Sequence, residues 1–100
     1  MKNVIALKTL REFWEKPNRS DSEQQLKAWH SEARKADWNN SNDIKTQYRS
    51  ASVIGGNKVV FNICGNKYRL VVKINYTNQW VYILFIGTHK EYDKIDFTKL

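Results

Sequence analysis

The chain carries one cysteine, one proline and four glycines among its 100 residues. A lone Cys64 excludes an internal disulfide, so this is no stapled secreted scaffold, and a reducing cytosol suits it best. No apolar run approaches the roughly 18 residues of a membrane span. The opening MKNVIALKTLREFW is too briefly apolar and too soon charged to read as a signal peptide. A soluble cytoplasmic protein with no membrane partner is expected. Metal-ligand spacings such as H-E-x-x-H and C-x₂-C are missing around His30, His89 and Cys64, and neither a P-loop nor a G-x-G-x-x-G occurs. No cofactor is expected. Negative charge is scarce too: ten Asp and Glu face seventeen Lys and Arg, a net charge of +7. A field of that sign favours a polyanionic partner and makes its binding sensitive to salt.

The length accommodates one hydrophobic core, hence a single domain over 1–100. Its first half reads as helical and its second as strands, an order that argues α+β rather than alternating α/β. A short strand opens within 1–7. Leu7, Leu10 and Trp14 then mark a helical face, with Thr9 and Glu12 at capping-box spacing, and Pro17 closes the helix or opens the loop beyond it. Ser20 and Glu23 form a second box ahead of Leu26, Trp29, Ala33 and Ala36, which predicts a helix over 21–36. A third, shorter helix after Ser41 or Asn42 should bury Ile44 and Tyr48.

From Ser52 the pattern changes to Val, Ile, Phe and Tyr broken by Gly-Gly-Asn, Gly-Asn and Thr-Asn. This predicts an antiparallel meander over 58–64, 67–76 and 80–86. If Gly65-Asn66 is a two-residue turn, Lys58 lies opposite Lys73, Val60 opposite Val71 and Asn62 opposite Arg69, all six on one face. The other face, with Val59, Phe61 and Ile63 against Val72, Leu70 and Tyr68, is core. Like charges directly opposed destabilise a sheet by a few tenths of a kcal/mol, roughly. An anion between Lys58 and Lys73 would relieve that; splayed, solvated side chains are the alternative. Trp80 and Tyr82 fall on the face of Arg69 and would stack bases or pack beneath a partner. With Trp14, Trp29 and Trp38 there are four tryptophans, many for so small a core, which points to an interface for some of them.

After the last strand, Thr88 and Glu91 form a third capping box, so a short helix should begin near His89. His89 and Tyr92, three apart, would share one side of its first turn. Histidine is the side chain that changes charge nearest neutral pH, which suits proton transfer. Glu91, Asp93 and Asp96 read as capping and surface charges.

The stretch VVFNICGNKYRLVVKINY with FIGTHKEYDKID after it, and WHSEARKADW with SNDIKTQYRSAS before it, resembles the HigB toxins of the RelE/ParE superfamily from about Trp29 to Asp96. The resemblance implies a RelE-like α+β fold: N-terminal helices on a small antiparallel sheet, then a short C-terminal helix. It also implies a toxin that cleaves mRNA, commonly on translating ribosomes, slows growth, and is restrained by a HigA-type antitoxin with a helix-turn-helix domain. Arg69 matches that family's central-strand arginine, and His89 and Tyr92 its C-terminal groups. Lys58 is the nearest counterpart of its RNA-holding lysines, with Lys45 and Arg49 as rivals. On this basis Arg69, aided by Lys58 and Lys73, would stabilise a phosphorane, and His89 would act as base or acid. Tyr92 would orient the nucleotide and Asn62 the phosphate, with no metal required. A ParE-like gyrase poison and an inert RNA-binding module are the competing readings.

Overall fold

A computed structural model describes residues 1–96 and 99–100. The chain opens with β1 (Asn3–Ile5), α1 (Leu7–Trp14) and a single 3₁₀ turn over Ser20–Ser22, then continues through α2 (Glu23–Lys35) and α3 (Ser41–Gln47). The second half is β2 (Ser52–Ile54), β3 (Lys58–Ile63), β4 (Tyr68–Asn75), β5 (Trp80–Thr88) and α4 (His89–Asp93). The five strands form one sheet in the order β1-β5-β4-β3-β2. The meander is antiparallel as expected, but β1 runs parallel to β5 along its outer edge, so the sheet is mixed.

The β3–β4 register is the one the Gly65-Asn66 turn predicts, with Lys58 opposite Lys73, Val60 opposite Val71 and Asn62 opposite Arg69. Gly65 takes φ +67° there, a left-handed value that glycine adopts at no steric cost. Cys64 enters the turn at φ +54°, which ends β3 one residue early. One face of the sheet carries the core. Val59, Phe61, Ile63, Tyr68, Leu70, Val72, Ile74 and Val81 meet Leu10, Phe13, Trp14, Leu26, Trp29 and Ala33 from α1 and α2. Phe61 is its hub, with ring centres 5.4 Å from Trp29, 6.2 Å from Trp38 and 5.1 Å from Tyr48. Full burial of such a side chain is worth about 1.5–3 kcal/mol, so this cluster holds α2 and α3 against the sheet. Trp14, Trp29 and Trp38 are thus core residues, and only Trp80, half-buried beside Tyr82, remains on the other face.

Two of the three expected capping boxes do not form. α1 begins at Leu7, directly after extended Ala6, so Thr9 already lies within the first turn and its N–H bonds to the Ala6 carbonyl at 3.1 Å. At the second, the 3₁₀ turn precedes α2, and the Ser22 hydroxyl donates back to the Arg19 carbonyl at 2.6 Å instead of capping the helix. Glu23 pairs with Lys27 instead. α3 begins earlier than expected because Asn40 caps it, its side chain accepting from the Asp43 N–H at 3.1 Å. The third box, Thr88 with Glu91, forms in full.

Candidate functional site

The site is set by an irregularity in the β4–β5 ladder. From Asn75 opposite Trp80 to Val72 opposite Ile83 the register is constant. Between Val71 and Val72 it shifts by one, leaving Leu84 as the extra residue of β5. Such a bulge re-aims every side chain beyond it. Here it brings Gly87 rather than Ile86 opposite Arg69. A side chain at 87 would force its neighbours to move: its Cβ would stand 2.5 Å from the Phe85 ring and 3.1 Å from the Glu91 carboxylate. The absence of a side chain at 87 leaves that space to the Phe85 ring and the Glu91 carboxylate.

Arg69 is half-buried and held from several sides. Its Nη1 donates to Oδ1 of Asn62 on the neighbouring strand and, at 3.4 Å, to Oδ1 of Asn66. Its guanidinium lies 5.8 Å from the centre of the Tyr92 ring, within cation–π range. Asn62 in turn donates from Nδ2 to the Ser50 carbonyl at 3.3 Å. Its amide is therefore engaged in holding the arginine and the loop before β2.

β5 runs two residues beyond its predicted end and passes straight into α4, which packs against β4 and β5. The Thr88 hydroxyl accepts from the Glu91 N–H at 3.2 Å, and the Glu91 carboxylate accepts from the Thr88 N–H at 2.8 Å. That backbone hydrogen bond holds the Glu91 carboxyl below the usual carboxylate range. The cap makes His89 the first residue of the helix, its ring centre 6.5 Å from that of Tyr92. His89 Nδ1 also lies 3.2 Å from Oδ2 of Asp93, which is a surface charge as expected but one turn from the histidine. The i,i+4 spacing was the available signal. Arg69, Tyr92, His89 and Asp93 thus form one continuous run of side chains.

The remaining expected residues are more spread out. Lys58 and Lys73 face each other four residues along their strands from Asn62 and Arg69, roughly 13 Å away. At that separation the lysine pair and the arginine do not share one centre, contrary to the expectation that Lys58 and Lys73 aid Arg69 directly. Val60 and Val71, between the two rows, are buried rather than solvated. Lys45 donates to the Arg49 and Ala51 carbonyls at 3.0 and 2.6 Å, and so closes the loop after α3. Arg49 is exposed on that loop, next to the Ser50 that Asn62 touches. Trp80 and Tyr82 share the Arg69 face, as the second turn predicts. Burial raises the Cys64 thiol above its ordinary pKa, which keeps it protonated and poorly nucleophilic. Among the described residues no three His, Cys, Asp or Glu converge as a metal site, and no helix is long and apolar enough to cross a membrane.

A small basic α+β chain with helices packed on one face of a five-stranded sheet and a short C-terminal helix is consistent with a RelE-like fold. Residues 22–95 match the HigB_toxin family, described as the RelE-like toxic component of a toxin-antitoxin system, and the chain belongs to that family. It is therefore the toxin half of such a system, and its counterpart is an antitoxin. The matched span runs from just before α2 to just beyond α4 and includes every candidate residue above. No curated relative matches the chain.

Proposed function

We propose that this toxin is an endoribonuclease that cuts mRNA without a metal, on translating ribosomes, and is silenced by a HigA-type helix-turn-helix antitoxin. The observation that carries the reading is the Tyr92 ring, with the Arg69 guanidinium at 5.8 Å and the His89 ring at 6.5 Å. A cation for the phosphate, a proton acceptor for the ribose and an aromatic surface for the nucleotide are the parts that metal-independent RNA scission needs. His89 takes the proton of the 2′-hydroxyl, and the 2′-oxygen attacks phosphorus. Arg69 stabilises the charge that builds on the non-bridging oxygens. Tyr92 orients the nucleotide, Asn62 holds Arg69 in place, and Lys58, Lys73 and Arg49 engage flanking phosphates. The net charge of +7 supports an RNA partner.

The test is cleavage of a defined mRNA by purified toxin, with and without programmed ribosomes, in EDTA. The expected products carry 2′,3′-cyclic phosphate and 5′-hydroxyl ends, and His89→Ala should lower the rate by about 10²–10⁴-fold. Cleavage abolished by EDTA and restored by Mg²⁺ would defeat the metal-free route. RNA binding without any cleavage would make the protein an inert binding module.

A further inference from the structure

Two carboxylates flank His89 on α4, and they are differently committed. Glu91 closes the capping box on the Thr88 N–H. Asp93 stands one turn beyond His89, its Oδ2 3.2 Å from Nδ1. The two nitrogens of an imidazole point in diverging directions, so a carboxylate on Nδ1 turns Nε2 away from it. A neutral imidazole carries one proton, and which nitrogen holds it is set by the partner of the other. An anionic acceptor at Nδ1 draws the proton there and leaves the lone pair on Nε2. A neutral imidazole free in water prefers the opposite arrangement, with Nε2 protonated and unable to accept.

We propose that Asp93 is the positioning residue of this site, holding His89 in the Nδ1–H tautomer so that Nε2 is the nitrogen that receives the ribose proton. The proposal rests on the nuclease reading above and deepens it. In the step it serves, the 2′-hydroxyl proton passes to Nε2 as the 2′-oxygen bonds to phosphorus. The bond from phosphorus to the 5′-oxygen breaks with its electron pair on that oxygen, which takes a proton from water. The imidazolium then formed donates from Nδ1 to the Asp93 carboxylate, so the same contact that sets the tautomer also stabilises the cation. Both side chains are more than half exposed, His89 at 52% and Asp93 at 59%. An exposed pair of this kind contributes little to stability, so its removal should read out in chemistry rather than in folding.

The test combines ¹⁵N NMR of the His89 imidazole, in buffer alkaline enough to keep it neutral, with steady-state cleavage by wild type, Asp93→Ala and Asp93→Glu. Wild type should show Nδ1 protonated and Asp93→Ala predominantly Nε2. For Asp93→Ala, kcat should fall about 10–100-fold with KM unchanged, a part of what a general base supplies. Asp93→Glu, whose carboxylate still reaches one turn back along the helix, should recover most of both signals. An Nε2–H tautomer in wild type, an unchanged tautomer or kcat in Asp93→Ala, or no recovery with Asp93→Glu overturns the proposal. Absence of cleavage by wild type removes the nuclease reading, and undiminished cleavage by His89→Ala removes the role of His89; either takes this proposal with it. The NMR experiment tells failure of the nuclease reading from failure of the proposal because it needs no activity.

Discussion

The Arg69 guanidinium and the Tyr92 ring lie 5.8 Å apart, although one belongs to β4 and the other to α4. This contact joins the cation to the histidine helix, and it depends on the planar, weakly hydrated head of arginine. Lysine would keep the charge but lose both the flat contact with the ring and the paired hydrogen bonds to Asn62 and Asn66. Arg69→Lys should therefore cut kcat by about 10²-fold, the scale of losing one preorganised donor at the transition state, with KM for RNA little changed. Steady-state kinetics on the ribosome-bound message checks this, and a Lys variant as fast as wild type would mean that charge alone suffices.

Asn62 distinguishes positioning from phosphate binding. Its Oδ1 accepts from Arg69 and its Nδ2 donates to Ser50, so its amide is occupied within the protein. Asn62→Ala should slow cleavage by roughly tenfold while leaving the salt dependence of RNA affinity at its wild-type slope, because no phosphate-neutralising charge is lost. Lys73→Ala should do the reverse, weakening binding and flattening that slope by about one unit while changing kcat little. A single set of RNA-binding titrations at several salt concentrations compares the two.

Much of the site was legible because it depends on local rules. Alternation about one glycine turn put Arg69, Asn62, Lys58 and Lys73 on a common face and opposed them in the observed pairs, and a capping box placed His89 at a helix start. What was not legible depends on neighbours far along the chain. The bulge at Leu84 exists only once β4 and β5 are paired, yet it decides that Gly87 faces Arg69. β2 is three residues long, too short for alternation to mark it. The parallel pairing of β1 with β5 joins segments from opposite ends of the sequence. The Ser20 box failed although its spacing was right, because Ser20 lies inside a 3₁₀ turn and Ser22, whose hydroxyl donates back to Arg19, stands at the start of α2 instead. Asp93 was visible as an acid one turn from His89, but its contact needs the helix to continue that far.

Gly87 gives a test of the bulge. A methyl group there would come 2.5 Å from the tip of the Phe85 ring, which is half-buried and has some room to swing aside. Gly87→Ala should cost about 1–2 kcal/mol, the low end of overpacking penalties, and should also lower activity by crowding the Glu91 cap that sets His89 at the helix start. Adding Phe85→Ala should recover part of the stability lost at 87, giving a non-additive double-mutant cycle. Urea unfolding of the four proteins measures the coupling, and strict additivity would show that the ring is not what excludes a side chain there.

Asp21 ties the approach to α2 to the β3–β4 turn. Its carboxylate accepts from the Lys67 ammonium and from the Tyr68 hydroxyl at 2.6 Å. The Lys67 hydrogen bond first, and the Tyr68 hydroxyl second, hold the Asp21 carboxyl below the ordinary aspartate range. A carboxyl depressed in the folded state contributes stability that is fully present above its unfolded value, near 3.9. That contribution is lost as pH falls through the lower folded value. Wild type should thus lose stability on acidification below about pH 4 more steeply than Asp21→Asn, which has no proton to take up. The urea midpoint of Asp21→Asn should lie below that of wild type at neutral pH, and the gap should close as pH is lowered toward about 3. Because the comparison is between two chains that differ only at this residue, the other carboxylates cancel. A gap that stays constant over the whole range would show that the Asp21 contacts hold equally well with the carboxyl protonated.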